Sequence, residues 1–167
     1  MNRRGFLALC GLGIGTAGGY IGRSRYGSPS TPDGMRVETR HIEKDIFVED
    51  SSRDAAFLGP KEEYQTVLSD RETADREIID SESTTSFLDE TDFEESYLIV
   101  VQNGMQSETA LVLDAVSRRD HGLRLDVSID SPRSGPDDLR THSLLVRVTD
   151  RDEAVPEEVS VDIEGYI

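Results

Sequence analysis

The chain has one cysteine, no tryptophan and only two lysines in 167 residues. The cysteine, Cys10, lies near the N-terminus, so the rest of the chain can form no disulfide and offers no thiolate to a metal. Blue-copper electron transfer, which needs such a thiolate, is excluded. The absence of tryptophan and an aromatic content of 6% give little from which to build a sugar-stacking platform. Lys44 and Lys61 are the two lysines, and no basic patch exists to displace phosphate counterions. Nucleic acid is therefore not an expected partner. No nucleophile elbow, phosphate loop, dinucleotide fingerprint or zincin helix occurs either.

Acidic residues are plentiful. The whole chain carries −16, and residues 1–34 hold four arginines against Asp33, so residues 35–167 alone carry −19. Such a charge repels itself in dilute buffer, whereas at molar salt the screening length falls to about 3 Å. Acid-rich, lysine-poor surfaces are those of extreme halophiles. The clusters Asp89-Glu90-Thr91-Asp92, Glu94-Glu95 and Asp137-Asp138 read as this solvated surface. None follows the spacing of a calcium loop, so no metal or other cofactor is expected.

The N-terminus is an address. Arg3 and Arg4, followed by Phe6 and Leu7 and a short glycine-rich apolar stretch, look like a twin-arginine export signal. The stretch is short for a span, and interior glycines weaken it as a helix. Arg23 and Arg25 just beyond it keep an uncleaved anchor open. Cys10 is a candidate for lipidation, although Leu7-Ala8-Leu9 before it is not the expected setting and a small apolar filler is the plainer reading. The expected layout is a signal or anchor over 1–25, a Pro/Gly/Ser linker over 26–34 and one β-rich domain over 35–167, exported to the cell surface or held on the membrane's outer face.

Within that domain, periodicity predicts strands over 96–102, 109–117, 123–130, 143–149 and 159–163. Residues 37–48 read as one long strand or two short ones, and 64–68 as a further short strand. Asn103-Gly104 reads as a hairpin turn, which would put Met105, Gln106 and Ser107 at an exposed tip. Ser131 to Asp138, with two prolines, reads as a loop. Asp70 is placed to cap a short helix through Ile79. Six to eight strands with one short helix, joined by tight turns, imply an antiparallel β-sandwich or open barrel.

From Tyr64 to Val148 this order resembles the PrcB-like C-terminal domain family of exported proteins. Asp92-Phe93 stands before the apolar run Leu98-Ile99-Val100-Val101, Gly104 ends it, and Thr141-His142-Ser143 precedes Leu144-Leu145-Val146. The family's glycine-rich element after that first glycine is absent, since Gln106-Ser107-Glu108-Thr109 stands there. The resemblance implies a β-rich accessory domain without enzymatic activity that binds another surface protein.

The residues themselves leave room for other chemistry. His41, His121 and His142 are the histidines, and their spacing follows no zinc pattern. His142 and Ser143 are neighbours, but neighbours on a strand point to opposite faces and cannot pair as base and nucleophile. His142 is expected at a loop edge and His121 in a turn. Tyr64, Phe93 and Tyr97 could form a contact surface, with core packing as the plainer reading. The expected role is to bind or stabilise another cell-surface protein, with membrane attachment through the N-terminal segment and contact through Met105, Gln106 and Ser107. The alternatives are an extracytoplasmic hydrolase using surface carboxylates or His142, and a small-ligand binding module.

Overall fold

The computed structural model describes residues 28–49, 58–131 and 138–165. The export signal (Arg3, Arg4, Phe6, Leu7), Cys10, the start of the linker, the loop interior 132–137 and Tyr166 lie outside the described residues.

Seven strands and two helices follow in the order β1 Met35–Ile42, β2 Glu63–Leu68, α1 Arg71–Glu77, α2 Glu82–Asp89, β3 Ser96–Gln106, β4 Ala110–Arg119, β5 Gly122–Asp130, β6 Leu139–Asp150 and β7 Glu158–Glu164. They form a four-stranded sheet, ordered β1-β6-β3-β2, and a three-stranded sheet, ordered β4-β5-β7. The two pack as a sandwich with β1 against β4 and β2 against β7. This is the mainly β sandwich that the alternating segments predict.

Strand β3 is apolar on both faces because both faces are covered. Tyr97, Ile99, Val101 and Met105 join Leu111, Leu125, Val127 and Val146 in a core between the sheets. Leu98 and Val100 point the other way, into a second core with Phe47, Ile78, Phe87 and Leu88. Helices thus form a third layer on the outer face of the four-stranded sheet. Tyr97 is core, and Tyr64 and Phe93 are half-buried against the second cluster, so these aromatics pack rather than form an outward patch.

Helix α1 starts where expected: the Asp70 carboxylate accepts from the Thr73 amide at 2.7 Å. A second helix, α2, departs from the expected single one. Its Ser81 and Thr84 form a reciprocal capping box, but with threonine in the place usually taken by Glu or Gln. The two helices are tied by Arg71, which reaches Asp75 on its own helix and Asp89 on the next, both at 2.8 Å.

Three further departures have physical causes. Strands β5 and β7 pair in parallel, because the chain visits the other sheet through β6 between them. Residues 37–48 give one strand, after which Phe47 makes an isolated bridge to Ile78 and brings the chain onto the helical layer. Asn103-Gly104 lies inside β3, not in a turn: β6 accompanies β3 as far as the Gln106–Leu139 pair, and the turn to β4 falls at Ser107-Glu108.

The two seams where the sheets' edges meet differ. At the β1/β4 seam, Ser30 lies along β4, its amide donating to the Asp114 carbonyl at 2.9 Å and its carbonyl accepting from the Val116 amide at 2.8 Å. The same segment turns back through the Met35 amide, which donates to Pro32. At the β2/β7 seam, no described residue plays that part.

Candidate functional site

Gly104 fixes one wall of a cleft at the open end of the sandwich. A Cβ added there would stand 2.0 Å from the Gly59 carbonyl oxygen and 2.8 Å from that of Leu58, so only glycine lets the chain before β2 lie flat on β3. Two backbone bonds hold this approach: the Lys61 amide donates to Gly104 at 2.8 Å and the Gly104 amide donates to Glu62 at 3.0 Å. The Gly59-Pro60-Lys61-Glu62 turn closes through the Glu62 amide on Gly59, with Lys61 at φ 63°. That left-handed conformation suits glycine and costs other residues about 1 kcal/mol or more. Replacing Lys61 by glycine is therefore expected to raise stability by about 0.5–1 kcal/mol in denaturant unfolding. A loss of stability would show that the lysine side chain outweighs the strain.

The cleft holds about 320 Å³. Met105, Ile129 and Leu139 give it apolar walls; Gln106, Thr109 and Ser131 add polar groups, and Pro60, Lys61 and Gly165 complete the lining. Of the residues expected at an exposed tip, only Gln106 is exposed. Met105 is buried in the inter-sheet core, and Ser107 is buried with its hydroxyl on the Asp138 carboxylate and its amide on the Asp138 carbonyl at 3.0 Å. The cause is the continuation of β3, which alternates Met105 inward and Gln106 outward. The Ser107 hydroxyl, then Arg140 at 3.0 Å, hold the Asp138 carboxyl below its ordinary range. The cleft thus includes Met105 and Gln106, while Ser107 fastens the adjoining turn to the start of β6.

His142 is not at a loop edge. It sits in β6 at 0% exposure, its ring stacked on His41 with centroids 5.3 Å apart and the two rings sharing an Nε2···Nδ1 hydrogen bond of 3.1 Å. Ser143 faces the other side, as strand alternation requires. There its hydroxyl donates to the Lys44 carbonyl at 2.8 Å and accepts from Gln102, which also donates to Asp45 at 3.0 Å. The β1–β6 register produces this pair, a juxtaposition of residues 101 positions apart that no local motif signals.

Both rings are held neutral. Burial, aided by His142, lowers His41 from the ordinary 6.5 to about 4. Burial also lowers His142, against opposing pulls from Glu43 and the Gln106 carbonyl. Protons are thus taken up more readily by the unfolded chain, so stability is whole above pH 6.5 and falls as the pH drops towards about 4. For His41 alone the loss is up to about 3 kcal/mol, at about 1.4 kcal/mol per pH unit. Thermal unfolding at fixed salt is expected to show this slope, and His41→Gln to flatten it. An unchanged slope in that variant would assign the pH dependence to carboxylates instead.

His121 lies in the β4–β5 turn, as expected, in an open depression of about 570 Å³ that also presents Glu158 and Ser160. All three are exposed, the Ser160 hydroxyl donates to the Leu123 carbonyl at 3.4 Å, and no hydrogen bond among the described residues links His121 to either. Among the described residues no group of three or more His, Asp or Glu side chains is placed to hold a metal ion. Comparison of the chain with protein-family models, with curated proteins and with solved structures returns no match.

Proposed function

We propose that this is a cell-surface accessory domain that binds another surface protein through the cleft bounded by Met105, Gln106, Ile129 and Leu139. The observation that carries the reading is the construction of that cleft. It joins apolar walls to a few convergent polar groups, a composition that pockets for small apolar groups share and that suits the seating of one side chain of a partner. Strained backbone supports it: Lys61 and Glu108, both at φ 63°, are the non-glycine residues with positive φ among those described, and they flank this end of the molecule. The twin-arginine-like start supplies the export and the membrane attachment, and the acid-rich surface suits a high-salt exterior. The domain's resemblance to the PrcB-like family is part of the same proposal.

The test is site-specific photocrosslinking in cells producing the full chain. A photoreactive residue in place of Gln106 is expected to capture a discrete protein, while the same group in place of exposed Arg36 on β1 captures none. Capture from both positions, or from neither, contradicts a contact at the cleft.

A second reading, an extracytoplasmic hydrolase, draws on the grouping of His121, Glu158 and Ser160. It predicts hydrolysis of an activated ester that disappears in His121→Ala.

A further inference from the structure

We propose that the outer edge of β7, unpaired among the described residues, takes an extended, basic segment of the partner protein, which adds a strand to the three-stranded sheet and seats an apolar side chain in the cleft. The inference rests on the binding reading above and names the partner's chemistry.

Strand β7 pairs with β5 on one side only, and among the described residues no backbone hydrogen bond leaves its other side. Natural edges are guarded by charged side chains (lysine above all), proline, bulges or a covering segment, and the charges on β7 are all acidic, a guard that a basic strand would not meet as repulsion. The opposite edge of the same sheet shows two of these: β4 has a register shift between Leu113 and Ala115, and Ser30 lies along it. Within Glu158–Glu164 there is no lysine, proline or register shift. Its inward residues Val159 and Val161 remain half-buried against the core, as does Val67 on β2. A strand beyond β7 would cover them, which is the burial an added strand offers.

The edge also leads to the cleft. Gly165 follows β7 directly and lines the cleft with Ile129 and Ser131 from the end of β5. An extended segment lying along β7 therefore has one end beside Gly165, at the cleft. Main-chain hydrogen bonds would supply affinity and the seated side chain would supply selectivity.

Charge chooses the partner. The outward row of β7 shows Glu158, Asp162 and Glu164, with Asp126 beside it on β5. Arg124 is shared between Asp126 and Asp162, both at 2.7 Å, and is drawn also to Glu164. One base among these carboxylates leaves room for arginine or lysine at alternate positions of the incoming strand, as direct contact pairs that survive screening at short range. A second copy of this chain would instead set the same acidic row against itself.

The probe is a nine-residue peptide of alternating arginine and valine with leucine at both ends. Fluorescence anisotropy and amide exchange are followed on the full chain. The peptide is expected to bind and to slow exchange along β7. Glutamate in place of arginine, or N-methylation of alternate peptide amides, is expected to weaken binding ~10-fold or more, since each loses several charge contacts or main-chain hydrogen bonds. Ser131→Trp, which fills the cleft, should weaken the leucine-ended peptide but not an alanine-ended one. No binding, equal binding of the acidic or N-methylated peptide, protection at β1 or β2, or self-pairing of the chain through β7 would each overturn the proposal. Capture of a protein from position 106 together with any of these results leaves the binding function standing and removes only the strand-addition mode.

Discussion

Replacing Phe87 by alanine is expected to cost about 3–5 kcal/mol, a large share of the about 5–15 kcal/mol that holds a typical domain folded. Phe87 sits on α2 in the second core with Ile78, Leu88, Leu98 and Leu145. Two guanidinium groups flank its ring, with Arg40 and Arg147 each 4.9 Å from the centroid. Arg147 is itself buried and is paired with the Glu38 carboxylate. Removing the ring leaves a cavity and also strips one side of a buried charge, and desolvated cation–π contacts are worth about 2 kcal/mol. Denaturant unfolding reads the loss directly. Phe87→Leu, which keeps most of the volume but not the π-face, separates the two contributions. A cost below about 1 kcal/mol for Phe87→Ala would mean that the helical layer does not pack as described.

The second large effect belongs to Gly104→Ala. A single methyl would meet the Gly59 carbonyl oxygen at 2.0 Å, and neither partner is a side chain that can swing away. The segment from Leu58 to Glu62 would have to shift and give up the two hydrogen bonds that join Gly104 to Lys61 and Glu62. Overpacking against backbone costs about 1–3 kcal/mol, occasionally more. The cleft should open at the same time, so the crosslink from position 106 should fall even at temperatures where the variant is folded. Retained stability together with retained crosslinking would contradict the close approach.

Much of the fold was legible because it rests on period-two patterning. Leu123, Leu125, Val127 and Ile129 alternate with polar residues, and the structure buries the first three and half-buries the fourth on one face of β5. The cap at Asp70 was readable for the same reason, since it is local. What failed was long-range. Asn103-Gly104 carries a strong turn signature, yet the β6 ladder and the chain before β2, both distant in sequence, dictate its conformation. Helix α2 was hidden by a Ser/Thr-rich sequence of low helix propensity whose burial of Phe87 and Leu88 makes it stable. The His41–His142 pair depends on a strand register between the first and sixth strands, which no spacing encodes. At the cleft, the turn signature of Asn103-Gly104 suggested a protruding tip, whereas Met105 and Gln106 end a long strand and line a recess.

Among the described residues the sandwich has one asymmetry: Ser30 lies on the β4 edge, whereas nothing pairs with the outer edge of β7. Residue-resolved amide exchange of the full chain without a partner tests it most directly. Amides of β3 and β6, central in their sheet, should exchange only through global unfolding, whereas alternate amides of β7, those pointing away from β5, should exchange within minutes. Uniform protection of β7 to the level of β6 would mean that the seam is already filled, and would contradict both the partner site and its mode of use.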